Sequence, residues 1–489
     1  MLTGTNTFSG GTRIAGGAVQ VSADAALGAA ASPVAFANGT LRAGAAFASA
    51  RPLAIDPGQV AFVDTNGFAV TLSGPVSGNG GFVKQGAGTL ALTNAGNSQG
   101  NTRIDGGTLA VSADGQLGAA GGTLFLNGGT LQTTGDTSNL VVNRPLSLQA
   151  ASSTVQTDRN LEWAGPITES GGARALVKTG DRNLFLTNAG NTWSGGITVT
   201  GGALLVGSSG SPGSLGTGPV SLTGGYLAFN QGNPLTVGSK ISGSGEVDYQ
   251  GAQTVVTAAN DYTGGTYLFN GTLVVNSSTT TGTSGTGIGL VRVILGSLGG
   301  TGRIAGPVTV GTSGVLRGDS GAGTGTLTLD GGARFVRTGN GADPTLAVQL
   351  ATDAAGAVSG RSYVTLGTAA AKFNVDLSNG GLFRILLQND AGLVRSVPYA
   401  LMLATGPAGG QSFQRNGTDL TSGYVFAAAD FQVASGSGAW TFQNTILSVT
   451  GNTLQLTFTP VPEPATVGLL AAAGLLAVRR LRRPAAAQL

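Results

Sequence analysis

A tandem pattern of short strand-like runs and glycine corners constrains this chain more than any other feature. Residues 86–118 read GAGTLALTNAGNSQGNTRIDGGTLAVSADGQLG. Leu90 and Leu92 alternate with Thr89, Ala91 and Thr93, and Leu109 and Val111 alternate with Thr108, Ala110 and Ser112. A period of two puts one set of side chains on one face of a strand. Gly106-Gly107 and the stretch Asn94–Asn97 supply the turn conformations between strands. No such strand is long enough to be stable alone, so the unit must stack on copies of itself.

The copies are present. Related stretches begin at Asn6, Asn97, Asn191 and Asn260, spaced 91, 94 and 69 residues apart. The last two spacings differ by 25 residues, about one coil of a solenoid with a period of roughly 20–50. The gaps are therefore expected to hold whole extra coils of poorer similarity. Residues 76–97, 167–191 and 241–261 repeat the lead-in half. Residues 208–219 and 277–289, rich in Gly, Ser and Thr, are expected to be loops leaving the stack.

Composition agrees. Glycine is 86 of 489 residues without a Gly-X-Y period, and charged residues are only 10%. The regular Val, Leu, Ile and Phe can bury a core, which argues against disorder. There are no cysteines, so disulfides and thiolate metal sites are excluded. There is no histidine, which removes the commonest general base and metal ligand. The net charge of +3 comes from the tail, and the four lysines (Lys84, Lys178, Lys240, Lys372) form no basic stripe. Nucleic acid is therefore not an expected partner.

The spacing predicts an all-β chain: a stacked β-solenoid over 1–340, a smaller β segment over 341–459 capping its open end, and a distinct tail over 460–489. A cap has a physical reason, since an open solenoid end exposes core and strand edges. The tail opens with prolines that cannot continue a strand. Residues 465–478 are fourteen residues without a charge, followed by RRLRR. As a helix they span roughly 21 Å against a hydrocarbon core of about 30 Å. Snorkelling arginines and local bilayer thinning would close part of that gap. The basic cluster would stay cytoplasmic and leave the body outside the inner membrane.

Two family resemblances follow from these residues. The tail resembles the PEP-CTERM sorting signal, carried by Val461, Pro462, Glu463 and Pro464, the apolar helix, and Arg479, Arg480, Arg482 and Arg483. Residues 484–489 trail beyond the arginines where family tails usually stop. The resemblance implies an exosortase-type membrane enzyme as partner. It also implies inner-membrane anchoring before processing, a cell-surface or extracellular destination afterwards, and a Gram-negative source that makes extracellular polysaccharide. The body resembles the autotransporter-associated β-strand repeat family over most of residues 1–335. That implies a passenger-type, right-handed parallel β-helix over 1–340 exposed outside the cell, and no specific ligand. Met1 leads directly into a sequence that matches residues 92–102. The chain thus opens inside a repeat, and a signal peptide with further repeats is expected upstream.

Candidate chemistry is sparse. Glutamate occurs only at Glu162, Glu169, Glu246 and Glu463. A glycosidase needs two carboxylates flanking one bond, and stacking could supply such a pair, for example Asp105 with Asp181. No calcium-binding nonapeptide repeat and no P-loop occur. Arg317-Gly318-Asp319-Ser320 spells an adhesion tetrapeptide of animal proteins. The recurring Asn6, Asn97, Asn191 and Asn260 read either as glycan contacts or as amides that satisfy backbone groups inside the solenoid. The reading is of an exported structural or adhesive solenoid with no catalytic residue, cofactor or metal, and extracellular polysaccharide as a possible partner. The alternative is a polysaccharide lyase or hydrolase on the same scaffold.

Overall fold

The computed structural model describes residues 1–462 except 137, 209, 279, 281–282, 321–323, 338–341, 353–357, 395–398 and 409–410. The chain divides into two compact units, Met1–Ala252 with Tyr262–Gly264, and Gln253–Asp261 with Gly265 onward. Each is an all-β parallel solenoid. Among the described residues the helical turns are short 3-10 pieces such as Asp24–Leu27 and Asp114–Leu117.

In the first unit each coil contributes two or three strands of two to six residues, and successive coils pair in parallel. Register partners lie 19 to 24 residues apart, as in Val34↔Leu53 and Thr130↔Thr154. One row holds four strands from Thr12–Ile14 to Val76–Ser77, a second holds eight from Ala18–Val21 to Ile167–Glu169, and a third holds ten from Phe47–Ser49 to Ile241–Gly243. The alternating residues stack into apolar ladders. Leu90, Leu109, Leu131 and Val155 follow one another in register, and each is at most 1% exposed. Gly107 turns its corner at φ +58°, and a Cβ there would come within 2.4 Å of the carbonyl oxygens of Gly86 and Gly88. Only glycine fits so close to the coil before it.

The repeats do not recur at whole coils. The first copy's strand Thr12–Ile14 lies in the first row, the second copy's Thr102–Ile104 in the second, and the third copy's Ile197–Val199 in the third. The expectation of whole extra coils is corrected accordingly. Spacings of 91 and 94 residues are four coils plus one further strand position, so the sequence unit advances one face per copy. Any alternating apolar strand with a glycine corner can occupy any of the three rows. Coil length is therefore free to drift against repeat length.

The second unit also has three rows, and its coils enlarge along the chain. Early register partners are as close as Val291↔Val308, and later ones reach Leu346↔Ile385 and Phe383↔Phe431. The wider core is filled by aromatics. Phe335 packs tilted against Phe373 and edge-on against Phe383, with ring centroids 5.0 Å from each, and Phe373 reaches Phe413 at 6.0 Å. Within the segment expected as a cap, Thr345–Thr352, Phe373–Asp376, Phe383–Gln388 and Phe431–Ser435 keep parallel pairing with their rows. Antiparallel pairing joins Val358–Arg361 to Thr345–Thr352 and Thr418–Asp419 to Phe413–Arg415, and it dominates where Tyr399–Thr405, Thr453–Pro462 and Trp440–Thr450 lie side by side.

Candidate functional site

The sorting motif starts inside that last hairpin. Val461 and Pro462 are the final residues of the strand Thr453–Pro462, opposite Thr441 and Trp440. The Thr441 hydroxyl donates to the Val461 carbonyl at 3.2 Å. Glu463 and Pro464, the apolar stretch 465–478, and Arg479, Arg480, Arg482 and Arg483 lie outside the described residues. Among the described residues no helix is long and apolar enough to cross a membrane.

The recurrent asparagines are rungs between coils. Asn97 Oδ1 accepts from the Val76 amide at 2.9 Å, one coil back, and its Nδ2 donates to the Gln116 carbonyl at 3.0 Å, one coil ahead. Asn191 repeats this with Ile167 at 2.9 Å and Ser214 at 2.9 Å. Asn6 and Asn260 donate to the carbonyls of Ala26 and Gly285, both at 2.7 Å. Asn97, Asn191 and Asn260 are buried, so backbone satisfaction rather than glycan contact is their role. An Asn97→Ala substitution leaves two buried backbone groups without partners. It is expected to lower stability by about 1–3 kcal/mol, read from the urea midpoint; a loss within error of zero would contradict the bridging role.

Two side-chain clusters that sequence reading passed over hold the coils more strongly. Arg51 and Arg144 are each 1% exposed. Arg144 Nε pairs with Asp114 Oδ1 at 2.8 Å, while its two terminal nitrogens donate to carbonyls around the 3-10 turn Asp114–Leu117. Arg51 does the same at Asp24–Leu27, with Asp24 Oδ1 at 2.7 Å. The signal was available: SAD, two residues, LGAA occurs at 22–30 and 112–120, each followed by an arginine one coil later. Lys84 and Lys178 are the second cluster. Both are fully buried in otherwise apolar ladders, Val63–Lys84–Ile104 and Val155–Lys178–Val199.

The remaining candidates separate. Arg317 and Asp319 pair with each other at 3.2 Å, Arg317 also binds Gln388, and Asp319 is 1% exposed. A displayed adhesion tripeptide needs both charged ends free at a loop tip, and here they are folded into the coil. Glu162 and Glu169 belong to strands in different rows. Glu162 accepts from Thr187 at 3.1 Å, and Glu169 from Ser194 at 2.5 Å and from the Arg174 amide at 2.7 Å. Asp105 is engaged by Arg103 and by Asn127 at 3.0 Å, whereas Asp181 sits by Lys178. Asp248 is pushed up to about 6, first by burial and then by the neighbouring Glu246 charge. Among the described residues no group of three or more acidic side chains could hold a metal ion.

Comparison with known proteins places these features. Residues 1–21, 82–111, 176–206 and 250–275 match the Passenger-associated-transport-repeat family, and residues 460–483 match the PEP-CTERM protein-sorting motif. Over 125 residues the chain is 39% identical to the adhesin BmaC autotransporter of Brucella suis biovar 1 (strain 1330). That match covers 25% of this chain and 4% of the adhesin, so the chain spans only a small part of its relative's length. The chain therefore carries autotransporter-type passenger repeats in its solenoid and a PEP-CTERM sorting motif at the end of it.

Proposed function

We propose that the protein is an exported structural and adhesive β-solenoid, sorted to the cell surface or extracellular matrix through its PEP-CTERM motif by an exosortase-type enzyme. The observation that carries this reading is the joining of passenger repeats to the motif in one chain. In it, residues 465–478 anchor the protein in the inner membrane before processing, Arg479, Arg480, Arg482 and Arg483 stay on the cytoplasmic side, and 341–459 closes the solenoid end. Its role is display: stacked coils make a stiff surface, and exposed faces make the contacts. The relative's description as an adhesin supports the adhesive part. Extracellular polysaccharide is the proposed contact.

An epitope-tagged chain with and without Pro462-Glu463-Pro464 tests the reading by fractionation. The intact chain is expected at the surface with a reduced mass. The deletion is expected to stay cell-associated at full mass. The same location and mass for both would reject sorting by the motif.

A carbohydrate-active enzyme is the second reading, and one observation favours it. Asp248 combines a raised pKa near 6 with a buried Oδ1 that has no hydrogen-bond partner among the described residues, a combination found in acid catalysts. Release of new reducing ends from polysaccharide, lost on Asp248→Asn, would put this reading first.

A further inference from the structure

One face of the second unit carries an ordered row of polar and aromatic side chains. The strands Thr266–Leu268, Val291–Val293, Val308–Val310, Ala333–Val336, Phe373–Asp376 and Phe413–Arg415 pair in parallel, each on the next. Their outward central positions are in register: Tyr267, Arg292, Thr309, Arg334, Asn374 and Gln414. The residues flanking these positions are buried in the core, apart from the half-exposed Arg415 after Gln414, which fixes the direction of the row. Neighbouring rungs of a sheet are about 4.8 Å apart, so the two arginines stand about 10 Å from each other along the row.

Two grooves flank the row and share Thr309 and Arg334. One, of about 450 Å³, has apolar walls from Leu290, Val293, Ile294 and Val336, with Arg292 and Arg334 beside them. The other, of about 240 Å³, adds Lys372, Asn374 and Gln414. Arg334 is held by Asp376, and Lys372 by Asp419 at 3.1 Å. Arg292 is exposed and makes no ion pair among the described residues. Its guanidinium is thus available to a carboxylate from outside, in the planar two-pronged geometry that arginine offers. Next to it Tyr267, stacked on Phe269 with centroids 6.2 Å apart, gives a flat, half-exposed aromatic surface.

We infer that this row binds an extended acidic polysaccharide lying across the strands, with a uronate carboxylate on Arg292 and a sugar face on Tyr267. An aromatic plate, a free guanidinium and a line of amides and hydroxyls at even spacing match a chain of repeating rings that carry hydroxyls and carboxylates. A purely apolar partner would leave Arg292 desolvated without compensation. The apolar walls suit the C–H faces of sugar rings, which a simple polyanion such as an acidic peptide lacks. This inference rests on the adhesive reading above and gives it a ligand class.

The test uses the full chain with polygalacturonate, dextran and poly-glutamate as probes, followed by titration calorimetry. Wild-type protein is expected to bind polygalacturonate and neither of the others, and more weakly as salt rises. Arg292→Gln, at an exposed position where the fold is retained, is expected to weaken binding at least tenfold, and Tyr267→Ala by a similar factor. Equal binding of poly-glutamate would reduce the site to a charge effect, and equal binding of dextran or an unchanged Arg292→Gln would equally overturn the inference. Adherence of cells displaying the same variants separates the two levels. If Arg292→Gln cells adhere as well as wild type, the row is wrong and the adhesive reading stands. If cells with and without the protein adhere alike, the adhesive reading itself fails.

Discussion

Methionine in place of Arg144 is expected to destabilise the first unit by about 3–5 kcal/mol, the scale for removing one partner from a buried charged network. The side chain is 1% exposed. It donates to the carbonyls of Asp114 at 2.9 Å, Leu117 at 3.2 Å, Gly118 at 3.2 Å, Ala119 at 3.1 Å and Gly122 at 3.4 Å, in addition to its ion pair with Asp114. Methionine fills similar volume, so packing is largely kept and the polar loss is isolated. The turn Asp114–Leu117 is a 3-10 turn that belongs to no strand row, so no ladder of backbone bonds takes over from those the arginine makes. Arg144→Lys keeps the charge but loses the planar fork, and should recover less than half of the loss. Arg51→Met should behave alike at Asp24–Leu27. Stability in stacked coils is a sum of local and nearest-neighbour terms. The measurement is therefore the denaturation midpoint together with amide exchange across 112–122. A midpoint cost below about 1 kcal/mol, or protection unchanged there, would show that the turn holds without its clamp.

The alternation at Leu90, Leu92, Leu109 and Val111 was enough to read stacked short strands, because burial of one strand face leaves few other solutions for so short a strand; their parallel pairing was implied by the resemblance to the repeat family and not by the alternation. Asn97 was legible for a related reason: a residue that recurs at a corner in a glycine-rich repeat has backbone groups to satisfy. The face advance was not legible. A spacing of 91 residues is compatible with whole coils until the register of Thr12 with Val34 and of Phe82 with Thr102 is seen. The arginine clamp was written in two copies of one motif, but its partners lie on the preceding coil, and sequence gives no direct sign of that contact. Arg292 and Arg334 were hidden differently. Their strands, VRV and ARFV, share little sequence, and only the register with Thr309 between them brings the side chains onto one line. Lys84 and Lys178 were counted in the charge balance and otherwise passed over, since a lone lysine in an alternating strand is ordinarily solvated.

Those two lysines carry the second large effect, and its pH dependence has a definite sign. Lys84 Nζ donates to the carbonyls of Gln85 and Gly86, both at 2.8 Å, and of Gly106 at 3.0 Å on the next coil. Lys178 Nζ donates to Thr179, Gly180 and Gly201, each at 2.9 Å. Each ammonium closes one corner of a coil and ties it to the following one. Lys84→Met or Lys178→Met leaves three carbonyls facing an apolar group, and at pH 7 each is expected to cost about 2–4 kcal/mol. Burial lowers both amines from 10.5 to about 8, against the opposing pull of Asp64 on Lys84 and of Asp181, then Asp158, on Lys178. Between pH 8 and 10.5 the unfolded chain therefore still holds protons that the native chain has released. Stability relative to a Lys→Met variant must rise with pH in that window, by up to about 3 kcal/mol per lysine, and be flat below it. Urea midpoints of wild type and of the double variant, taken from pH 7 to pH 10.5, measure that difference directly. A difference that stays constant, or falls as the pH rises, would mean that the ammonium groups are not desolvated in the folded coils.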